Sequence, residues 1–229
     1  SDGGGSIRIP ASVCGLFGLK PSRGRQVKSR PYDRTPDLSV EHCLSRSVRD
    51  SALLLSLTEH KGPTAPLAPT GHITNSSPVR RTIAWSPREL EATNIHGDVK
   101  AAIENTARLC QALGHTLVEA ELPFSRNTFN QHFKTVWSAG AAGLVKRFKD
   151  SVGKWPDETV LEPFTLEFAR RFQALPEHAL PDALAFLATI ETHAQNFFGQ
   201  VDFYLSPVLS APAPLIGHLA PTVPFDTLW

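Results

Sequence analysis

Apolar positions recur with helical spacing at Val99, Ile103, Ala107 and Cys110, with Ala102, Leu109 and Leu113 beside them. Residues three and four apart share one helix face, so this stripe predicts an amphipathic helix that begins at Asp98 and stops at Gly114. Short β-type runs flank it at 81–86 and 116–120. Strand, helix and strand with short joins predict a βαβ crossover, and hence a parallel strand pair in a covered sheet. A second helix is predicted from about Ser47 to Glu59, capped by Ser45 or Ser47, and a further strand over 201–206, ended by Pro207.

Elsewhere the pattern is broken. Residues 1–25 read as a glycine-rich loop followed by short apolar runs, and Pro10 argues against a helix opening directly after the glycines. Residues 26–40, with Pro31 and Pro36, and 60–79 read as loops, and the tail with Pro212, Pro214, Pro221 and Pro224 as irregular. Residues 125–200 carry Phe129, Phe133, Trp137, Phe148, Phe164, Phe168, Phe172, Phe186 and Phe197 among helix formers. They are expected to form several helices broken near Pro156, Pro163, Pro176 and Pro181. The resulting fold class is α/β, a mixed sheet flanked by helices on both faces.

Composition narrows the function classes. Lys plus Arg is 23 and Asp plus Glu is 22, a balance that gives no reason to expect a nucleic-acid or membrane-surface partner. No apolar run approaches the roughly 18–20 residues of a bilayer span. Cys14, Cys43 and Cys110 form no CxxC pair, which argues against a zinc knuckle or redox motif and suits reduced core or strand thiols in a cytoplasmic protein. The nine histidines form no HxH or HxxxH pair and are expected on the surface or in loops, so no metal and no cofactor are expected. The sequence holds no Met and opens inside the glycine loop, so the expectation is a piece of a longer protein.

The opening stretch, Asp2-Gly3-Gly4-Gly5-Ser6-Ile7-Arg8-Ile9-Pro10, carries the candidate chemistry. Consecutive glycines let several backbone N–H groups converge on one point, an anion-binding nest. The phosphate versions fit poorly. Arg8 stands where a dinucleotide fingerprint needs its last glycine and where a GxSxG elbow needs its final glycine, and Pro21 interrupts the Gly18-Leu19-Lys20 context of a Walker loop. Two readings stay open from the residues alone: an oxyanion hole that ends on the Ser6 hydroxyl, and a plain glycine turn.

The same stretch, followed by Cys14-Gly15-Leu16-Phe17-Gly18-Leu19-Lys20-Pro21-Ser22, resembles the second half of the amidase signature. Leu44-Ser45-Arg46-Ser47-Val48-Arg49-Asp50 is similar to that family's "ARSVRD" helix start, and Leu113-Gly114-His115 and Ser206-Pro207-Val208-Leu209 fall where its fold has a βα join and a late strand. The resemblance implies a partial α/β/α amidase-signature domain over 1–229, with 125–200 as its variable helical pocket region. It implies Ser6 as the acylating nucleophile, the N–H groups of Gly3, Gly4, Gly5 and Ser6 as the oxyanion hole, and Asp2 with Arg8 as a charged brace of the loop. A carboxylate and a guanidinium six residues apart across a tight turn can pair as a fork.

The family's lysine base and its cis-serine belong to a segment that precedes this stretch, and Lys20 matches a structural lysine instead. The 229 residues by themselves are therefore expected to hydrolyse little or nothing. Ile9 stands where the tRNA-dependent amidotransferase subunits usually have Gln, so the resemblance leans to bacterial amidases and cyclic-amide or nylon-oligomer hydrolases. The function implied is hydrolysis of a non-peptide carboxamide in a small-molecule substrate. The alternatives are an amidotransferase A-type subunit and a non-catalytic amide or carboxylate binder. Apolar surface left uncovered in a partial domain would favour a homodimer.

Overall fold

The chain, described by a computed structural model over residues 1–27, 38–87, 94–220 and 225, divides into two compact units. Most of the loop expected over 26–40, and the tail residues Pro221 and Pro224, lie outside the described residues. One unit comprises Ser1–Glu119 with Phe203–Ala213, the other Ala120–Asp202 with Pro214–Trp229.

The first unit holds a parallel sheet in the order β4-β3-β5, with β3 (Thr82–Trp85) in the centre, β4 (Thr116–Glu119) on one side and β5 (Phe203–Leu205) on the other. Ile83 pairs with Leu117 and with Phe203, which sets the register on both edges. Helix α3 (Gly97–Ala112) connects β3 to β4 and buries Ala107 of the predicted stripe, while Ile83 and Ala84 are buried in the strand. It ends as the sequence predicts, with Gly114 in the left-handed region at φ +85°. Its N-cap is His96, whose imidazole accepts from the Asp98 N–H, and His96 N–H in turn donates to the Ser210 carbonyl at 2.8 Å.

Helix α1 (Arg8–Val13) overturns one expectation: a helix does open directly after the glycines. Pro10 is its third residue, where the missing N–H would have had no intrahelical acceptor, so the ring is tolerated. The strands β1 (Phe17–Gly18) and β2 (Leu44–Ser45) pair antiparallel and were not legible as strands. Gly18 sits so close to α1 that a Cβ there would meet the Ala11 Cβ at 2.6 Å and the Ile7 carbonyl oxygen at 2.9 Å. Helix α2 (Val48–Thr58) starts at Ser47, whose hydroxyl accepts from the Asp50 N–H at 3.1 Å, as the sequence predicts.

The second unit is helical. Helix α4 (Arg126–Val152) packs on both α5 (Pro163–Gln173) and α6 (Ala179–Phe198). Pro163 is tolerated in the first turn of α5. Pro181 is a correction, since it sits inside the first turn of α6 rather than breaking it. The aromatic spacing becomes a ladder along α4, Phe124–Phe129–Phe133–Trp137, with ring centroids 5.6 to 5.8 Å apart, and His132 stacks on Phe186 of α6 at 4.2 Å. Among the described residues no helix is long and apolar enough to cross a membrane.

Candidate active site

Asp2 is fully buried, an unusual place for a carboxylate. The turn formed by Gly3, Gly4 and Gly5 folds the chain back over it. Gly5 takes φ +128°, and any Cβ there would collide with the Ile9 side chain. The returning backbone delivers three N–H donors to the carboxylate: Gly5 to Oδ1 at 2.7 Å, Ile7 to Oδ2 at 3.2 Å and Arg8 to Oδ2 at 3.3 Å. The Arg8 guanidinium closes the shell as a fork, Nε to Oδ2 and Nη2 to Oδ1, each at 3.0 Å. This is the pairing that the six-residue spacing allows. Burial alone would raise the Asp2 pKa. The Arg8 guanidinium and the Gly5, Ile7 and Arg8 amides outweigh it and hold the carboxyl well below the usual carboxylate range.

On the far side Asp2 is pinned by a β-bridge: its N–H donates to the Val40 carbonyl at 2.7 Å, and the Val40 N–H donates back to the Asp2 carbonyl at 3.2 Å. Ile7, only 1% exposed, anchors the turn from below, and the Ile9 N–H to Gly5 carbonyl bond at 2.7 Å starts α1. Ser6 stands between these anchors and is exposed.

The geometry refines the expected nest. The Gly5 N–H is directed at Asp2 Oδ1. The N–H groups of Gly3, Gly4 and Ser6 have no acceptor among the described residues. Lys20 donates to the Pro21 carbonyl at 3.3 Å. Burial first, then the positive charges of Arg8 and Arg23, hold its pKa below the ordinary lysine value against the pull of Asp2. Cys14 is another correction: it follows the last turn of α1 and is exposed, not a core or strand residue. Among the described residues no cluster of His, Cys, Asp and Glu could hold a metal ion.

A family model described as Amidase matches residues 1–229. The chain belongs to the amidase family. A protein of Mycobacterium bovis that carries the name amidase AmiC is 34% identical over 223 residues, which cover 97% of this chain and 47% of that one. A lipoamidase of Enterococcus faecalis is 29% identical over 220 residues, covering 95% and 29% of the two chains. The solved structure of 6-aminohexanoate cyclic dimer hydrolase complexed with substrate superposes with a TM-score of 0.75 at 22% identity, covering 99% of this chain and 50% of that one. At that identity the likeness shows the amidase fold alone. The chain spans about half the length of the curated amidase AmiC.

Within this amidase chain the sequence located the loop and its brace, and it missed what lies behind them. The segment after Val40 carries His42, expected on the surface or in a loop. It does lie in a loop, where it is half-buried with both ring nitrogens in hydrogen bonds that the sequence did not signal. Its partners Gln26 and Ser51 lie 16 and 9 residues away, and no local motif links them.

Proposed function

We propose that the chain carries the nucleophile of a serine amidohydrolase that cleaves a non-peptide carboxamide in a small molecule. The observation that supports this most is the exposed Ser6 on a loop that the buried Asp2 carboxylate holds through the Gly5, Ile7 and Arg8 amides, with the Gly3, Gly4 and Ser6 amides beside it. Ser6 Oγ attacks the carbonyl carbon as a base takes its proton. The carbonyl oxygen becomes an oxyanion that accepts from the Gly3 and Gly4 amides, the C–N bond breaks, and the amine leaves with a proton. Water then attacks the acyl ester, releasing a carboxylic acid and restoring the Ser6 hydroxyl. One oxyanion donor of this kind lowers the barrier by roughly 3–4 kcal/mol.

Among the described residues no side chain hydrogen-bonds the Ser6 hydroxyl, and we take the base from further polypeptide, as the family resemblance implies. Exposed apolar residues such as Leu57, at 71%, and Phe203, at 55%, suit a chain that works against further protein, whether the rest of its own polypeptide or a second copy.

Fluorophosphonate labelling read by intact mass tests this on the natural gene product and on these 229 residues. The expected result is one adduct on the gene product, absent from its Ser6→Ala variant, and none on the 229 residues. Labelling that survives Ser6→Ala, or amide hydrolysis undiminished in that variant, would sink the reading.

A further inference from the structure

His42 lies on the short segment 40–45, which touches four separate parts of the first unit. Val40, 7% exposed, forms the two-way bridge to Asp2. Leu44 and Ser45 form β2 against β1. Between them, the His42 imidazole bonds Gln26 on one side and Ser51 of α2 on the other. The Gln26 segment is itself joined to the end of α2 by Val27 N–H to the Thr58 carbonyl at 3.2 Å and His60 N–H to the Arg25 carbonyl at 2.8 Å.

The donors in this network can be assigned in order. The Thr58 hydroxyl donates its only hydrogen to the Leu54 carbonyl at 2.8 Å, so its oxygen can only accept. Gln26 Nε2 is the donor to it at 3.0 Å, which fixes the amide orientation. The same Nε2 lies 3.1 Å from His42 Nδ1, so Nδ1 is an acceptor and carries no proton. The imidazole hydrogen is then on Nε2, 2.9 Å from the oxygen of Ser51, a residue only 1% exposed. A proton added to Nδ1 would face an N–H₂ group that cannot turn its oxygen toward the ring without facing the Thr58 oxygen, which has no hydrogen to give.

We propose that His42 is a positioning residue for the Ser6 loop. As a neutral Nε2–H imidazole it locks segment 40–45 to α2, and through the Val40–Asp2 bridge it fixes the backbone that presents Ser6. The inference rests on the reading of Ser6 as nucleophile for its purpose, but not for its geometry. Burial holds the His42 pKa below 6.5, opposed by the Ser51 contact, in line with the network's preference for the neutral ring. The other ionisable groups on the elements around it are Glu41 and Cys43 on its own segment, Arg25 beside Gln26, Arg46 before α2, Arg49 and Asp50 on it, and Glu59 and His60 after it. Glu59 is held by the Thr70 and Gly71 amides and Arg25 by the Ala68 carbonyl.

The test uses these 229 residues and needs no substrate. Long-range nitrogen–proton NMR of the imidazoles should show one histidine held as the Nε2–H tautomer and titrating below 6.5. Amide-exchange protection over residues 2–8 should fall about tenfold or more in His42→Ala, while α3 and the helical unit keep theirs. His42→Asn, which offers an oxygen near the Nδ1 position to Gln26 but nothing that reaches Ser51, should restore part of it. In the parent chain protection of 2–8 should weaken as pH falls below 6.5, and His42→Asn should lose that dependence. Should His42→Ala fail to fold, the tautomer and the Asn pH profile still decide. An Nδ1–H tautomer, unchanged exchange at 2–8 in a folded His42→Ala, or a pH dependence that persists in His42→Asn overturns the proposal. Ser6 labelling is read separately, so an inert Ser6 on a loop that loosens as described would reject the catalytic reading and leave the role of His42 in place.

Discussion

The Ser6 loop and the helical unit solve the same problem, holding charged residues in place, by opposite means. In the loop one buried carboxylate takes five hydrogen bonds, three from backbone and two from Arg8. In α5 one part-exposed carboxylate, Glu167, takes the Arg170 and Arg171 guanidiniums at 2.6 to 2.7 Å, all from its own helix. The helix would keep its path without that carboxylate, because backbone bonds carry it. The loop would not, because the carboxylate replaces the regular bonds a glycine turn lacks. The geometry of the loop is concentrated in few groups here, and that of the helix is spread over many.

Asp2→Ala should break this comparison most visibly. It strips three amides of their acceptor and leaves Arg8 unpaired. We expect a loss of about 3 kcal/mol in urea denaturation, near the low end for a broken buried pair because Arg8 is partly in solvent. Asp2→Asn should recover little, since its N–H₂ would face donors. A loss below about 1 kcal/mol for both would show that the turn holds without its carboxylate.

Gly18→Ala comes next. The new methyl meets Ala11 and the Ile7 backbone, so either α1 or β1 must shift, and overpacking of this kind costs about 1–3 kcal/mol. The effect should concentrate in amide exchange over 7–18. An unshifted melting curve would mean that α1 moves freely, and the loop's precision would then rest on Asp2 alone.

Much of this was readable in advance where the signal is local. The Gly114 stop, the Ser47 cap and the Asp2–Arg8 spacing all act within one or two turns of chain and each reappears as a bond or a left-handed turn, while of the stripe from Val99 to Cys110 only Ala107 is buried and Leu109 beside it is exposed. Sequence reasoning failed where the deciding contact is distant or positional. Pro10 looked like a helix breaker because its place within the first turn was unknown. The inward aim of the Gly5 N–H depends on φ +128°, which no residue type announces. His42 needed Gln26, Ser51 and Thr58 to be brought together by the fold before its ring could have an assigned proton.

Glu167→Gln should give the smallest effect, and acid sharpens the contrast. The Arg170 and Arg171 hydrogen bonds, against a small opposing effect of burial, lower the Glu167 pKa from 4.5 to about 2. A carboxyl whose folded pKa is depressed contributes stability that is complete above its unfolded value and lost as pH falls toward the folded one. The Glu167 contribution therefore fades between pH 4.5 and about 2. The Asp2 contribution begins to fade only below 3.8 and continues past that range. Both arginines are well exposed, so solvent screens the Glu167 pair and Glu167→Gln should shift the neutral-pH transition far less than Asp2→Ala. Its signature should be a flatter acid limb between pH 4.5 and 3.8, before the Asp2 contribution begins to fade. If Glu167→Gln instead destabilised at neutral pH as much as Asp2→Ala, an intrahelical ion pair would be doing in α5 what a buried carboxylate does in the loop, and the division between concentrated and distributed anchoring would not hold.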